Sequence, residues 1–89
     1  MDNQLEDLRK QIDEIDGQIV DLLAKRMKVV KKVGEYKKKM NLPFFDKAQF
    51  EKLLKSKIER AKKQGLSQDL INKIYQAIHE EALKIEKSL

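Results

Sequence analysis

Counting in alternating steps of three and four from Leu5, the chain reads Leu8, Ile12, Ile15, Ile19, Leu22, Arg26, Val29, Val33, Tyr36 and Met40. Ten of these eleven positions are apolar or aromatic, and the spacing is the period of one helix face. No proline falls between Asn3 and Met40, so the pattern predicts one helix over that span. Gly17 and Gly34 interrupt it at up to about 1 kcal/mol each relative to alanine, which a long packed helix absorbs. A helix of about 37 residues runs roughly 55 Å. A compact globule of this chain's length has a radius of gyration near 12 Å and is only about 30 Å across. One chain therefore cannot cover its own first helix, and the most economical cover is a second copy related by two-fold symmetry. The expected architecture is all-α, three helices with one very long N-terminal helix, assembled as an intertwined homodimer. A plain coiled coil would satisfy the same heptads. Two shorter helices and an arginine inside the stripe argue against it.

The stretch NLPFFD ends the first helix, since Pro43 disfavours helical geometry in the residue before it. Asp46 in DKAQ reads as the N-cap of a second helix, with Gln49 at the capping-box position. The stripe of that helix is Phe50, Leu53, Leu54, Ile58 and Ala61. Gly65 serves as its stop and Ser67 as the N-cap of a third helix. The third helix runs to about Ser88 and is expected to bury Leu70, Ile71, Ile74, Ile78 and Ile85. With no internal repeat, low-complexity tract or flexible linker, the chain reads as a single domain over residues 1–89.

Hydrophobic content of 40% and charged content of 39% describe a soluble, helix-rich chain. No apolar run approaches the roughly 20 residues needed to cross a bilayer. The acidic, polar start MDNQLEDLRKQID is unlike a secretory signal, so a cytoplasmic protein with no membrane partner is expected. The absence of cysteine excludes a disulfide, a thiolate nucleophile or a Cys-ligated metal, and a lone His79 argues against zinc. A formal net charge of +5 suits phosphate binding. However, 15 acidic residues are interspersed and no recognised DNA- or RNA-binding motif is present, so nucleic acid is not the expected partner. The cations are seventeen lysines and three arginines. Lysine is the ordinary solubilising residue, whereas arginine offers a rigid fork for carboxylates.

An unpaired guanidinium in a core is prohibitively costly, so Arg26 requires an acidic partner or a polar cavity that an anion enters. The eleven residues from Arg26 to Lys37 amount to a net rotation of about 20° and about 16 Å along the axis. Both side chains can therefore reach a small ligand between them. Arg9 lies about 25 Å from Arg26 along the axis and roughly a quarter turn around. One helix cannot bring both to the same small molecule, but in an antiparallel dimer Arg9 of one chain approaches Arg26 and Lys37 of the other. Three cations converging in a mostly apolar cavity suit a compact dicarboxylate. Intersubunit salt bridges to Asp13 or Asp16 are the alternative.

The segment LRKQIDEIDGQIVDLLAKRMKVVKKVGEYKK carries a further signal. Its Leu-Arg start, Ile-Asp-x-Ile-Asp stretch, LLAKR arginine and VGEYK lysine resemble the long first helix of chorismate mutases of the all-helical AroQ class. The spacing of Arg9, Arg26 and Lys37 is similar to that family's, and PFFD, the second-helix length and IYQAIHEEALKIE fit in register. The resemblance covers nearly the whole chain. It implies a homodimeric isomerase with two sites, each closed by the partner's first arginine, that converts chorismate to prephenate in phenylalanine and tyrosine biosynthesis without a cofactor. By the family pattern Arg26 and the partner's Arg9 grip the two carboxylates, and Lys37 donates to the ether oxygen and a nearby carboxylate. Asp46 contributes near the ring hydroxyl, largely through its backbone, a role compatible with its being an N-cap.

Three positions depart from the pattern. Where the family usually reads Arg-Glu, this chain has Gln49 and Phe50, and the usual glutamate accepts a hydrogen bond from the ring hydroxyl. Leaving that hydroxyl unpaired costs roughly 1 to 3 kcal/mol, about one to two decades in efficiency. Phe50 also heads the second-helix stripe, so a core role is its plainer reading. On the third helix the family commonly has glutamine where this chain has Glu86, with Ala82 one turn earlier. A glutamate donates to an ether oxygen only when protonated, a form that burial or a close anion favours. Activity would then fall as pH rises. A surface Glu86 pairing with neighbouring lysines is the alternative. His79 shares a face with Tyr75, Ala82 and Glu86 and reads as a partly buried packing histidine. The expected catalytic set is Arg26, Lys37 and Glu86, and the substrate-binding set adds Arg9, Asp46, Gln49, Phe50 and Ala82. Isochorismate-pyruvate lyases resemble the chain too and also lack the second-helix glutamate. A catalytically weakened dicarboxylate-binding regulatory or dimerisation module is a third reading.

Overall fold

The computed structural model describes residues 3–89. These form three α-helices, α1 (Asn3–Lys39), α2 (Lys47–Lys63) and α3 (Gln68–Lys87). Glu6 in the first turn of α1 and Lys37, Lys38 and Lys39 in its last turn oppose the helix dipole at both ends. The helix ends one residue before Met40, and the immediate cause is Asn41 rather than Pro43. Asn41 adopts φ 57, a left-handed conformation that asparagine tolerates better than most residues. Its N–H then reaches the Lys38 carbonyl at 3.3 Å, and that of Leu42 reaches Lys37 at 2.8 Å, the double closure of a Schellman C-terminus.

The other two helices begin and end as the sequence predicts. Asp46, in extended geometry, accepts the Gln49 N–H at 3.0 Å and caps α2. At the far end Gly65 takes φ 79, which lets Leu66 N–H reach the Ala61 carbonyl at 2.9 Å. Ser67 follows at once and accepts the Leu70 N–H at 3.1 Å, opening α3.

Helix α3 packs against both α1 and α2, whereas α1 and α2 do not pack on each other. The α1 residues that escape full exposure are Arg26, Met27, Val30, Gly34 and Lys37, all in its C-terminal half. The line Met27, Val30, Gly34 runs one residue out of phase with the apolar stripe. Gly34 is where α1 and α3 come closest. A Cβ there would stand 2.9 Å from Glu86 Cγ and 2.7 Å from Leu89 Cδ1.

The stripe itself is exposed. All ten of its apolar and aromatic members, from Leu5 to Met40, are exposed in the single chain, Leu22 at 65%. The molecule measures 60 × 25 × 15 Å with a radius of gyration of 16.8 Å, against about 12 Å for a compact chain of this length. Leu70 and Ile74, expected to be buried, are 42% and 41% exposed, whereas Ile71 between them is buried, so this face of α3 is left uncovered in the single chain. Among the described residues only Ala61 and Ile71 are buried apolar residues, and no helix is long and apolar enough to cross a membrane.

Candidate functional site

Because α1 and α2 lean on α3 without touching each other, a cavity of about 410 Å³ opens between them. That is within the usual range for small-molecule sites, roughly 300–1,000 Å³. Helix α1 contributes Arg26 and Lys37 across an apolar wall of Val29, Val30 and Val33. The connector and the start of α2 contribute Phe44, Phe45, Asp46, Gln49 and Phe50, and α3 contributes Tyr75, His79, Ala82 and Glu86. Seven of the eight sequence-predicted site residues thus line one hollow. Arg9 does not; it is exposed near the far end of α1 and pairs with Glu6 at 3.0 Å.

The two cations are held differently. The half-buried Arg26 guanidinium makes no hydrogen bond or ion pair with a described residue, Asp13 and Asp16 included. Its positive charge is therefore free to meet an anion in the cavity. Lys37 turns inward and its Nζ donates to the Phe44 carbonyl at 2.8 Å. This bond ties α1 to the connector and leaves two of the ammonium's three N–H donors for other acceptors.

Glu86 is only 6% exposed, and its Oε2 is buried with no hydrogen-bond partner among the described residues. The surface reading of Glu86, paired with neighbouring lysines, is overturned, because the close approach at Gly34 draws this part of α3 against α1. A buried carboxyl oxygen without a partner is costly. Its position on the cavity wall suits an interaction that a bound molecule completes.

Opposite lies an aromatic corner. Phe50 stacks on His79 with ring centroids 4.2 Å apart and planes at 16°, and Phe45 meets the same imidazole at 5.0 Å and 51°. Phe50 is thus both packed and part of the wall. Asp46 likewise lines the cavity while capping α2. Sequence reasoning missed the Phe44 carbonyl, since a backbone acceptor leaves no residue-type signal. It also left out Val29 and Val33, although their place in the stripe just beyond Arg26 pointed to them.

An all-helical scaffold presenting an apolar cavity with two cations and a sequestered carboxyl has the chemistry to hold a small carboxylate. The sequence model of chorismate mutase type II matches residues 8–87, and the chain belongs to that family. It is 32% identical over 88 residues to a chorismate mutase of Methanocaldococcus jannaschii, covering 98% of this chain and 88% of that protein. It is 38% identical over 87 residues to a bifunctional chorismate mutase/prephenate dehydratase of Buchnera aphidicola subsp. Schizaphis graminum, covering 98% of this chain. The chain spans about a fifth of the length of that enzyme and of the T-proteins it also matches, 23%, 22% and 19%. A solved chorismate mutase (Form II) of Thermus thermophilus shares the fold, with a TM-score of 0.86 at 24% identity over 96% of each chain.

Proposed function

We propose that the chain is a chorismate mutase that rearranges chorismate to prephenate in the cytoplasm, for phenylalanine and tyrosine synthesis, with residues 1–89 acting as a single domain. The observation that carries this reading is the pairing of an unneutralised Arg26 with an unpartnered, buried Glu86 in one apolar cavity. The rearrangement breaks one C–O bond and forms one C–C bond within the same molecule, so it calls for no nucleophile, base or co-reactant. The protein's task is to hold the folded, chair-like conformer and to stabilise charge gathering on the ether oxygen.

In this reading Arg26 grips one carboxylate as a bidentate fork. Lys37 donates to the ether oxygen through an N–H not engaged by Phe44. Glu86 presents its unpartnered carboxyl group to the same oxygen, and Ala82 leaves room beside it. The Asp46 backbone and Gln49 border the ring at the start of α2. The second carboxylate is met by Arg9 of the partner subunit, because Arg9 is too far along α1 to reach its own cavity. The exposed stripe supplies the surface for that two-fold assembly.

Incubating the protein with chorismate tests this directly, and prephenate should accumulate with wild type and not with Arg26→Ala. Phe50 favours a second reading, lyase action on isochorismate, because no carboxylate stands at that position. Pyruvate and salicylate from isochorismate, with no prephenate from chorismate, would establish it. Saturable binding without turnover of either compound would leave a dicarboxylate-binding module.

A further inference from the structure

The mutase reading leaves one well-held polar side chain of the cavity without a task. His79 is the chain's only histidine, half-buried on α3, and its ring lines the cavity. Phe50 covers one face of the imidazole and Phe45 leans on it at a tilt. Such contacts fix the ring plane and leave the two nitrogens on its edge. Neither nitrogen hydrogen-bonds to a described residue.

The placement fits a ligand that also reaches Glu86. His79 and Glu86 are seven residues apart, hence about 20° from facing the same way and about 10 Å along the axis, the span of a small ring compound. Tyr75, which also lines the cavity, is about 16 Å from Glu86 on the same helix. The Asp46 side chain is engaged with the Gln49 N–H, which leaves only its backbone to border the ring, so a side-chain partner for the hydroxyl has to come from elsewhere on the wall. Arg26, Lys37 and Glu86 suit the charged and ether oxygens. The uncharged ring hydroxyl of chorismate calls for a hydrogen-bonding edge on the cavity wall, and the imidazole, with both nitrogens unpartnered among the described residues, offers one.

We infer that His79, held against Phe50, hydrogen-bonds the ring hydroxyl of the substrate and so sets the cavity's preference for a hydroxylated ring. This inference rests on the mutase reading. Two substitutions separate it from simple packing. His79→Phe keeps an aromatic ring for the stack and removes both nitrogens, whereas His79→Gln keeps a donor and an acceptor and removes the stack. Each is assayed for kcat/KM on chorismate and on the same compound lacking its ring hydroxyl, with thermal unfolding as the check on folding.

On chorismate, His79→Phe should lose about tenfold or more and His79→Gln distinctly less; on the hydroxyl-free compound the loss in His79→Phe should vanish. The reverse order, with Phe retained and Gln lost, assigns His79 to packing and overturns the inference. So does a His79→Phe loss of equal size on both compounds. If His79→Phe does not fold, His79→Leu, which also removes both nitrogens, takes its place, and a loss of equal size on both compounds overturns the inference in the same way. A wild-type protein that binds chorismate without turnover sinks the mutase reading itself, a result distinct from turnover that is indifferent to His79.

Discussion

Arg26 is the one stripe residue that is neither apolar nor aromatic, and it is also the one that a single chain partly covers. Its guanidinium makes no ion pair with a described residue, so the charge is open to an anionic ligand. Replacing it with alanine should lower kcat/KM by about 10²–10³, the scale of losing one preorganised donor. Arg26→Lys should recover only part of this, since a point charge cannot form the two-pronged contact. Glu86 makes a prediction of opposite sense. Its buried Oε2 has no hydrogen-bond partner among the described residues, so Glu86→Gln, which puts an amide donor in the same place, should keep or raise kcat/KM, whereas Glu86→Ala should lower it about tenfold or more. Equal activity in all three proteins would remove Glu86 from the chemistry. The inward turn of Lys37 was legible as helix phase, eleven residues from Arg26. Its anchor was not, because the Phe44 carbonyl belongs to a connector whose path depends on Asn41 entering the left-handed region.

At the scale of elements, the helix ends were the most legible features. Asp46, Gly65 and Ser67 act through bonds to residues three to five positions away, and such local chemistry is written in adjacent letters. Asp46→Ala should therefore cost about 1 kcal/mol in denaturant unfolding. The face by which α1 meets α3 was not legible. The strong apolar stripe hid a second, weaker line through Met27, Val30 and Gly34, in which the decisive residue is the one with no side chain. Gly34 reads in sequence as a small helix penalty, yet in the fold it admits Glu86 and Leu89. The two helical glycines should consequently respond in opposite directions. Gly17 has nothing within 4 Å of a Cβ position, so Gly17→Ala should stabilise by up to about 1 kcal/mol. Gly34→Val should destabilise by about 1–3 kcal/mol through overpacking, and should depress activity by displacing Glu86.

For the whole molecule, the governing quantity is the mismatch between a 37-residue helix and the little that the rest of the chain can cover. The mismatch was legible from length alone. The exposure of Leu70 and Ile74 on α3 was not, because periodicity shows that a face is apolar but not which chain covers it. If a second copy covers these faces, the midpoint of thermal unfolding should rise with protein concentration. Ile12→Asp, in the middle of the exposed stripe, should abolish that dependence together with activity. The most direct test of a site assembled from two chains is complementation. Arg9→Ala and Arg26→Ala should each be inactive alone, because each removes one of the two carboxylate grips from every site. Unfolded together in equal amounts and refolded, they should regain about a quarter of wild-type activity, since half of the two-fold dimers are mixed and each of these holds one intact site. Recovery no greater than that of either variant refolded alone would contradict a shared site and confine the chemistry, if any, to a single chain.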